Sequence, residues 1–135
     1  EAIEEILYWL SDGYWTNSLT STHDRGSIFN TDICGGLPNL MARAVVDGTE
    51  AAVDLLPALP ACWPAGTITG VRLRGGFLCD VRWEAGRLVE ASIEARASVE
   101  RGVGRGVRVR CARRSLHLSI DAGKRIVLDG ELRRI

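Results

Sequence analysis

Between Gly13 and Pro38 the sequence gathers an imidazole, two carboxylates and an amide: His23, Asp24, Asn30 and Asp32. They stand among hydroxyls and aromatics, and the stretch is punctuated by Gly26, Gly35 and Gly36 without a sustained period of 2 or 3.6. Long aperiodic loops inside packed domains usually carry function. His23 can bind a hydroxyl of a neutral ligand while Asp24 fixes its tautomer. Asn30 offers both donors and acceptors for the same purpose. Asp32 admits two readings. It can act in proton transfer, held by a turn in which Gly35 and Gly36 tolerate positive φ. Alternatively it is a helix cap or Asx-turn, since Pro38 and a helical pattern follow. On the residues alone capping is the simpler account, and the Thr-His-Asp stretch is equally ordinary loop chemistry.

Other chemistry-bearing types have plainer readings. Tyr14, Trp15 and Trp63 can stack on the apolar side of a pyranose, although packing is the commoner use of such rings. Cys34, Cys62, Cys79 and Cys111 lie far apart, with no CxxC pair and no nearby His, so neither a metal nor an organic cofactor is implied. Cys79 and Cys111 fall on the apolar side of alternating runs, where a thiol packs as a small hydrophobe and a disulfide framework is the weaker reading. Arg101, Arg105, Arg108, Arg110, Arg113 and Arg114 alternate with Gly102, Gly104 and Gly106. No strand-to-helix context or Lys-Ser/Thr accompanies these glycines, so dinucleotide and P-loop readings fail. Arg108 and Arg110 are the outward positions of a strand, and His117 is outward on the next.

These residues need elements to hold them. The 135 residues are 46% apolar and 25% charged, which describes a packed globule. Seventeen basic residues balance seventeen acidic ones, so no net field draws the chain to nucleic acid or an anionic membrane. No apolar run reaches the roughly 20 residues of a spanning helix, and the first five residues are acidic where a signal peptide is basic. Ile3, Ile6, Leu7 and Leu10 predict a helix over Ala2–Leu10 that begins at once, as in a segment of a longer chain. Leu37, Leu40, Met41, Ala44 and Val45 predict a second over Leu37–Val46, with Pro38 in its first turn and Asp47-Gly48 ending it. If the natural partners of these helices are absent, Leu7, Leu40 or Val45 is left uncovered.

Pro57, Pro60 and Pro64 exclude helix interior or central strand over 55–66 and mark a connector. Beyond it, alternation predicts strands at Ile68–Leu73, Phe77–Trp83, Leu88–Ala95, Val107–Cys111, Leu116–Ile120 and Ile126–Leu128, with a hairpin at Glu84-Ala85-Gly86. The expected class is α+β: short N-terminal helices, then an antiparallel β-sandwich-like domain. Phe77, Val81, Trp83, Val89, Ile93, Val109, Leu118 and Ile126 are its expected common core. The expected division is 1–54, 55–66 and 67–135.

Two stretches carry a resemblance: Ser21-Thr22-His23-Asp24-Arg25-Gly26-Ser27-Ile28-Phe29-Asn30-Thr31-Asp32-Ile33-Cys34-Gly35-Gly36, and LLPALPACWPAGTITGVRLRGGFLCDVRW from Leu55 to Trp83. Both resemble glycoside hydrolases of family 95. The resemblance implies that residues 1–54 end an (α/α)6 catalytic barrel and that the sandwich is the domain after it. It implies an inverting hydrolase of α-L-fucosides or α-L-galactosides, with a Glu general acid and an Asn base that an Asp activates. Asp32 matches that Asp, and His23 and Asn30 become substrate-binding candidates. The Glu and the Asn belong to barrel helices upstream of this sequence, so the chain alone is expected to be inactive. Its partners would be a fucosylated glycan and the remainder of the barrel, in a secreted or periplasmic parent as one compatible setting. A non-catalytic carbohydrate-binding or structural β-domain of another (α/α)6 glycosidase is the alternative. The family's commoner His-Pro-Pro and Asp-Gly-Asn-Phe-Gly segments differ here, since Asp24-Arg25-Gly26 follows His23 and Ile33-Cys34-Gly35-Gly36 follows Asp32.

Overall fold

The computed structural model describes residues 4, 5, 8, 15–16, 20–23, 28–96 and 105–135, with side chains for 4, 5, 8, 35–96 and 106–135. Glu4, Glu5 and Tyr8 are helical, and the rest of the Ala2–Leu10 helix expected from periodicity lies outside the described residues. A three-stranded antiparallel ribbon follows, made of β1 (Trp15–Thr16), β2 (Thr20–His23) and β3 (Ile28–Asn30). Helix α1 spans Thr31–Val45. It begins six residues before the start expected from the sequence, so Gly35 and Gly36 are helical and not a turn with positive φ. Pro38 consequently lies inside the helix, where it removes the bond that an amide there would give to the Cys34 carbonyl. The apolar stripe from Leu37 to Val45 outweighs these weak helix formers by packing, which is where most helical stability arises.

Two four-stranded sheets form the sandwich. One has the order β10 (Arg114–Ile120), β9 (Arg105–Cys111), β5 (Ala52–Leu55), β4 (Val46–Gly48). The other has the order β11 (Arg125–Asp129), β8 (Arg87–Ala95), β7 (Phe77–Glu84), β6 (Gly66–Leu73). The α+β class and sandwich expected from alternation are therefore present, and all six expected strands fall where the pattern places them. β4 and β5 were not legible as strands, because each is only three or four residues long and Asp47-Gly48, read as the end of the helix, falls inside β4. β5 pairs in parallel with β9, and the other pairs within the sandwich are antiparallel.

Val46, Val53, Leu55, Val107, Val109, Leu118 and Ile120 from the first sheet meet Phe77, Cys79, Val81, Trp83, Ile93 and Leu128 from the second in one buried cluster. Ile126 is packed against it and half-buried. Val89, expected in the core, is also half-buried, and Leu88 takes its place. A bulge explains the exchange: Arg82 pairs with Glu90 but Trp83 pairs with Leu88, so Val89 is the extra residue and the alternation changes phase. Along α1 the expected exposure is split. Met41 is 38% exposed, Leu40 is half-buried, and Val45 is buried within the sandwich core, while Leu7 lies outside the described residues.

Hydrogen bonds join the helix end to the sandwich. The amide of Leu56 donates to the Val45 carbonyl at 2.7 Å and that of Ala58 to the Ala44 carbonyl at 3.1 Å, satisfying acceptors that a helix C-terminus leaves open. Further along the connector, the Trp63 carbonyl accepts from Trp83 Nε1 at 2.9 Å. The indole lies directly over Gly66, where an added Cβ would stand 2.7 Å from Cη2 and closer still to Cζ2. On the outer face, β6 bulges at Gly70, whose φ is 71°, and its amide donates to Asp80 Oδ1 at 2.8 Å. Asp80 Oδ2 accepts from Ser92 Oγ at 2.8 Å and from Arg125 at 3.2 Å. Ser92 is only 8% exposed beneath this group.

Two stability measurements follow from these contacts. Gly66→Ala forces the buried indole of Trp83 aside and should cost about 1–3 kcal/mol, read as a lower denaturation midpoint with an altered near-UV tryptophan signal. An unchanged midpoint would mean that Trp83 is free to move. For Asp80, the Gly70 amide holds the carboxyl below its usual range against the opposing effect of burial, with Ser92 and Arg125 acting in the same direction as Gly70. Its stabilisation is thus fully present above the unfolded pKa of about 3.9 and is lost as pH falls through the lower folded value. Asp80→Asn should cost about 1–3 kcal/mol at pH 7, with the gap to wild type closing below about pH 4. A gap independent of pH would refute this.

Candidate functional site

The catalytic and substrate-binding candidates fall on the ribbon and the first turn of α1. His23 ends β2 and pairs with Ile28, while Asn30 ends β3 and pairs with Ser21. The two are thus two register positions apart on adjacent antiparallel strands, which places both residues on one face of the ribbon. Asp32 is the second residue of α1, two residues beyond Asn30. Of the groups gathered in the sequence, Asn30 and Asp32 stand at the start of the helix, His23 pairs with Ile28 at the end of β3 farther from it, and Asp24 lies outside the described residues. The first turn of a helix is where negative charge is favoured, so this position suits a carboxylate whether it caps or reacts.

The sandwich carries its polar groups differently, as cross-strand pairs that sequence periodicity does not reveal. Arg110 clasps Asp54 across the parallel β5/β9 pair with two hydrogen bonds, one of them 2.6 Å from a terminal guanidinium nitrogen to Oδ2. Arg108 Nε donates to His117 Nε2 at 3.0 Å across β9 and β10, so the outward placement expected of Arg108, Arg110 and His117 holds. Asp80, Ser92, Glu94 and Arg125 form a third group. The only signal for it in the sequence was the outward parity of each residue, which does not give register between strands.

The thiols and the aromatics are similarly resolved. Burial pushes the Cys79 thiol up to about 12, so it stays protonated as a packing group. Cys111 is half-buried and is pushed up by the same cause, while Cys62 is exposed. Neither raised thiol has the character of a nucleophile. Of the proposed stacking residues, Tyr14 and the side chain of Trp15 lie outside the described residues. Trp63 is half-buried and packs against the core. Among the described residues the sandwich exposes no aromatic ring: Phe77 and Trp83 are buried, and the exposed large apolar side chains are Tyr8, Met41 and Ile135. Nor is any described helix long and apolar enough to cross a membrane.

Comparison with known proteins bears on the whole of this arrangement. Residues 48–129 match the model of the glycoside hydrolase family 95 C-terminal domain. Alpha-L-fucosidase 2 of Arabidopsis thaliana is 35% identical over 109 residues, covering 79% of this chain and 12% of that protein. The probable alpha-fucosidase A of Aspergillus oryzae is 42% identical over 59 residues, which is 40% of this chain and 8% of the relative. That of Aspergillus niger is 28% identical over 112 residues, or 73% and 14% respectively. The chain therefore spans between 8% and 14% of the length of these relatives. With α1 running into a two-sheet sandwich that carries the match, and the resemblance read from Leu55–Trp83 lying inside it, the chain belongs to glycoside hydrolase family 95 and contains its C-terminal domain.

Proposed function

We propose that the chain supplies the C-terminal part of a glycosidase that cleaves α-L-fucosides or α-L-galactosides with inversion. The observation that carries this reading is the 35% identity to alpha-L-fucosidase 2 over 79% of the chain, together with the family match. In this reading residues 1–54 end the catalytic barrel, residues 55–66 connect, and residues 67–135 supply most of the sandwich, with β4 and β5 lent to it from the barrel side. A fucosylated glycan is the substrate, and the rest of the barrel is the structural partner.

Inversion needs one group to protonate the leaving oxygen and another to activate water on the opposite face of the sugar, about 6.5–9.5 Å away. Both belong to other parts of the enzyme, a Glu as acid and an Asn as base. An amide is a very weak base, so it requires a neighbouring carboxylate to orient it and to offset the charge it gains. Asp32 takes that positioning role at the start of α1, and His23 and Asn30 bind sugar hydroxyls from the adjoining ribbon. What supports the grouping is that His23 and Asn30 share one face of the ribbon that leads directly into the first turn of α1, where Asp32 lies. The competing reading, a carbohydrate-binding sandwich, requires exposed aromatics on the sheet faces, and the described faces carry none.

Two experiments test the proposal. The 135-residue chain alone should hydrolyse an aryl α-L-fucoside no faster than buffer, because general acid catalysis worth about 10²- to 10⁴-fold and the positioning of the barrel are missing. Turnover by rigorously purified chain would sink the assignment of roles. In the intact enzyme, Asp32→Asn should lower kcat strongly, change KM much less and lower the melting temperature only slightly, because a carboxylate inside the first turn of a helix contributes only about 0.3–1 kcal/mol. A near-wild-type kcat would leave Asp32 only its electrostatic role in the first turn of α1.

A further inference from the structure

We propose that the cleft between the C-terminal half of α1 and the end of β6 binds an oxyanion, either free or carried on an acidic sugar. The cleft encloses about 260 Å³, and Asn39, Arg43, Asp47, Thr49, Arg72 and Arg74 supply its polar lining. Val71, Leu73, Ala42 and Val46 supply apolar wall between them. The charges do not balance. Arg43 donates to Asp47 Oδ2 at 2.9 Å, and the other Asp47 oxygen accepts from the Gly48 amide at 2.8 Å, so this pair is neutral and internally satisfied. Arg72 and Arg74 are exposed and form no ion pair among the described residues. Arg74 also acts on Asp47 electrostatically, so one carboxylate faces three guanidiniums and the site keeps an excess of two positive charges in a chain whose net charge is zero.

Elsewhere on the sandwich, Arg82, Arg110, Arg114 and Arg125 each meet a carboxylate. The contrast matters because those four guanidiniums are each directed at a carboxylate, whereas Arg72 and Arg74 form no ion pair among the described residues. Their placement is also stiff. Arg74 opens a turn in which Gly75 and Gly76 have φ of 81° and 78°, and an added Cβ at Gly75 would stand 2.8 Å from the Glu50 carbonyl oxygen. The backbone of residues 74–76 is therefore seated against residue 50, and the Glu50 carboxylate makes no ion pair with either arginine.

Guanidinium forks match the oxygens of carboxylate, sulfate and phosphate, and apolar walls around a concave site concentrate the field of the charges that line it. The volume suits one oxyanion and at most the ring that bears it. Asn39 and Thr49 add neutral donors at the rim. The site is separate from the first turn of α1, and the inference does not rest on the catalytic reading of Asp32.

The test is a titration of the full chain at constant ionic strength, followed through backbone amide NMR shifts. Sodium sulfate is the first ligand, and glucuronate and galactose 6-sulfate are the second and third. Saturable shifts centred on Thr49, Arg72 and Arg74 are expected, weakened about tenfold or more in the Arg72→Gln/Arg74→Gln double variant. Arg87→Gln, at the distant Ala85-Gly86 turn, should titrate as wild type. Both arginines are exposed, and Arg72→Gln alone should show an intermediate loss should the double variant fold poorly. Equal affinity for sulfate and the acidic sugars assigns a free oxyanion, and tighter binding of an acidic sugar assigns an anion carried on one. Shifts that never saturate, or that persist undiminished in the variants, overturn the proposal.

Discussion

The helix C-terminus is the point on which the architecture turns. Ala44 and Val45 leave carbonyls that no later turn of helix can satisfy, and the amides of Ala58 and Leu56 fill them. The side chain of Val45 meanwhile enters the sandwich core. A helix end that shares both its hydrogen bonds and its apolar surface with the next domain cannot swing independently of it. The geometry at Thr31, fifteen residues of helix away from this junction, is thereby referred to the sandwich. In an ordinary two-domain arrangement a connector rich in proline would be a spacer. Here it is also the cap, and Trp63 extends the same function by fixing the indole of Trp83 through its carbonyl.

The sandwich earns rigidity from both faces. Inside, β-branched and aromatic side chains of the two sheets interlock; outside, charged groups are tied across strands, as in Asp54 with Arg110 and Asp80 with Arg125. Pairs this exposed contribute little energy individually. Their value lies in register, since each joins residues that a one-position slip would send to opposite faces. The Asp80 group also holds the Gly70 bulge, which lets β6 follow the twist of the sheet without breaking its pairing.

Much of this was legible in the sequence, and the limits have physical causes. Most of the later strands could be read because they carry five or more residues of alternation on a half-buried sheet, and Ile126–Leu128 as a short apolar run after a turn. Val89 was misplaced because a single bulge residue reverses parity, and no local signal announces it. The start of α1 was missed because Gly35, Gly36 and Pro38 are all poor helix formers and a turn was the better local prediction. β4 and β5 were missed because both are very short, and β5, on which β4 pairs, is joined to a strand far along the chain. The candidate residues were legible as a group of suitable chemical types, and the placement of His23 and Asn30 on one ribbon face and of Asp32 inside α1 was not, since it depends on the pairing of β2 with β3 and on a helix that begins earlier than propensity suggests.

The parallel pairing of β5 with β9 bears on the order in which the molecule can assemble. Asp54 and Arg110, paired across it, are 56 residues apart. The sheet of β6, β7 and β8 can form as a local meander, joined by tight turns, as soon as its own strands have been synthesised. Its companion sheet cannot, because β4 and β5 must wait for a strand made much later, and closing so long a loop is entropically slow. Until then the apolar inner face of the first sheet has no cover and the end of α1 has no settled place. On the ribosome, the amino-terminal region that carries residues 23, 30 and 32 would acquire its final orientation among the last events of folding.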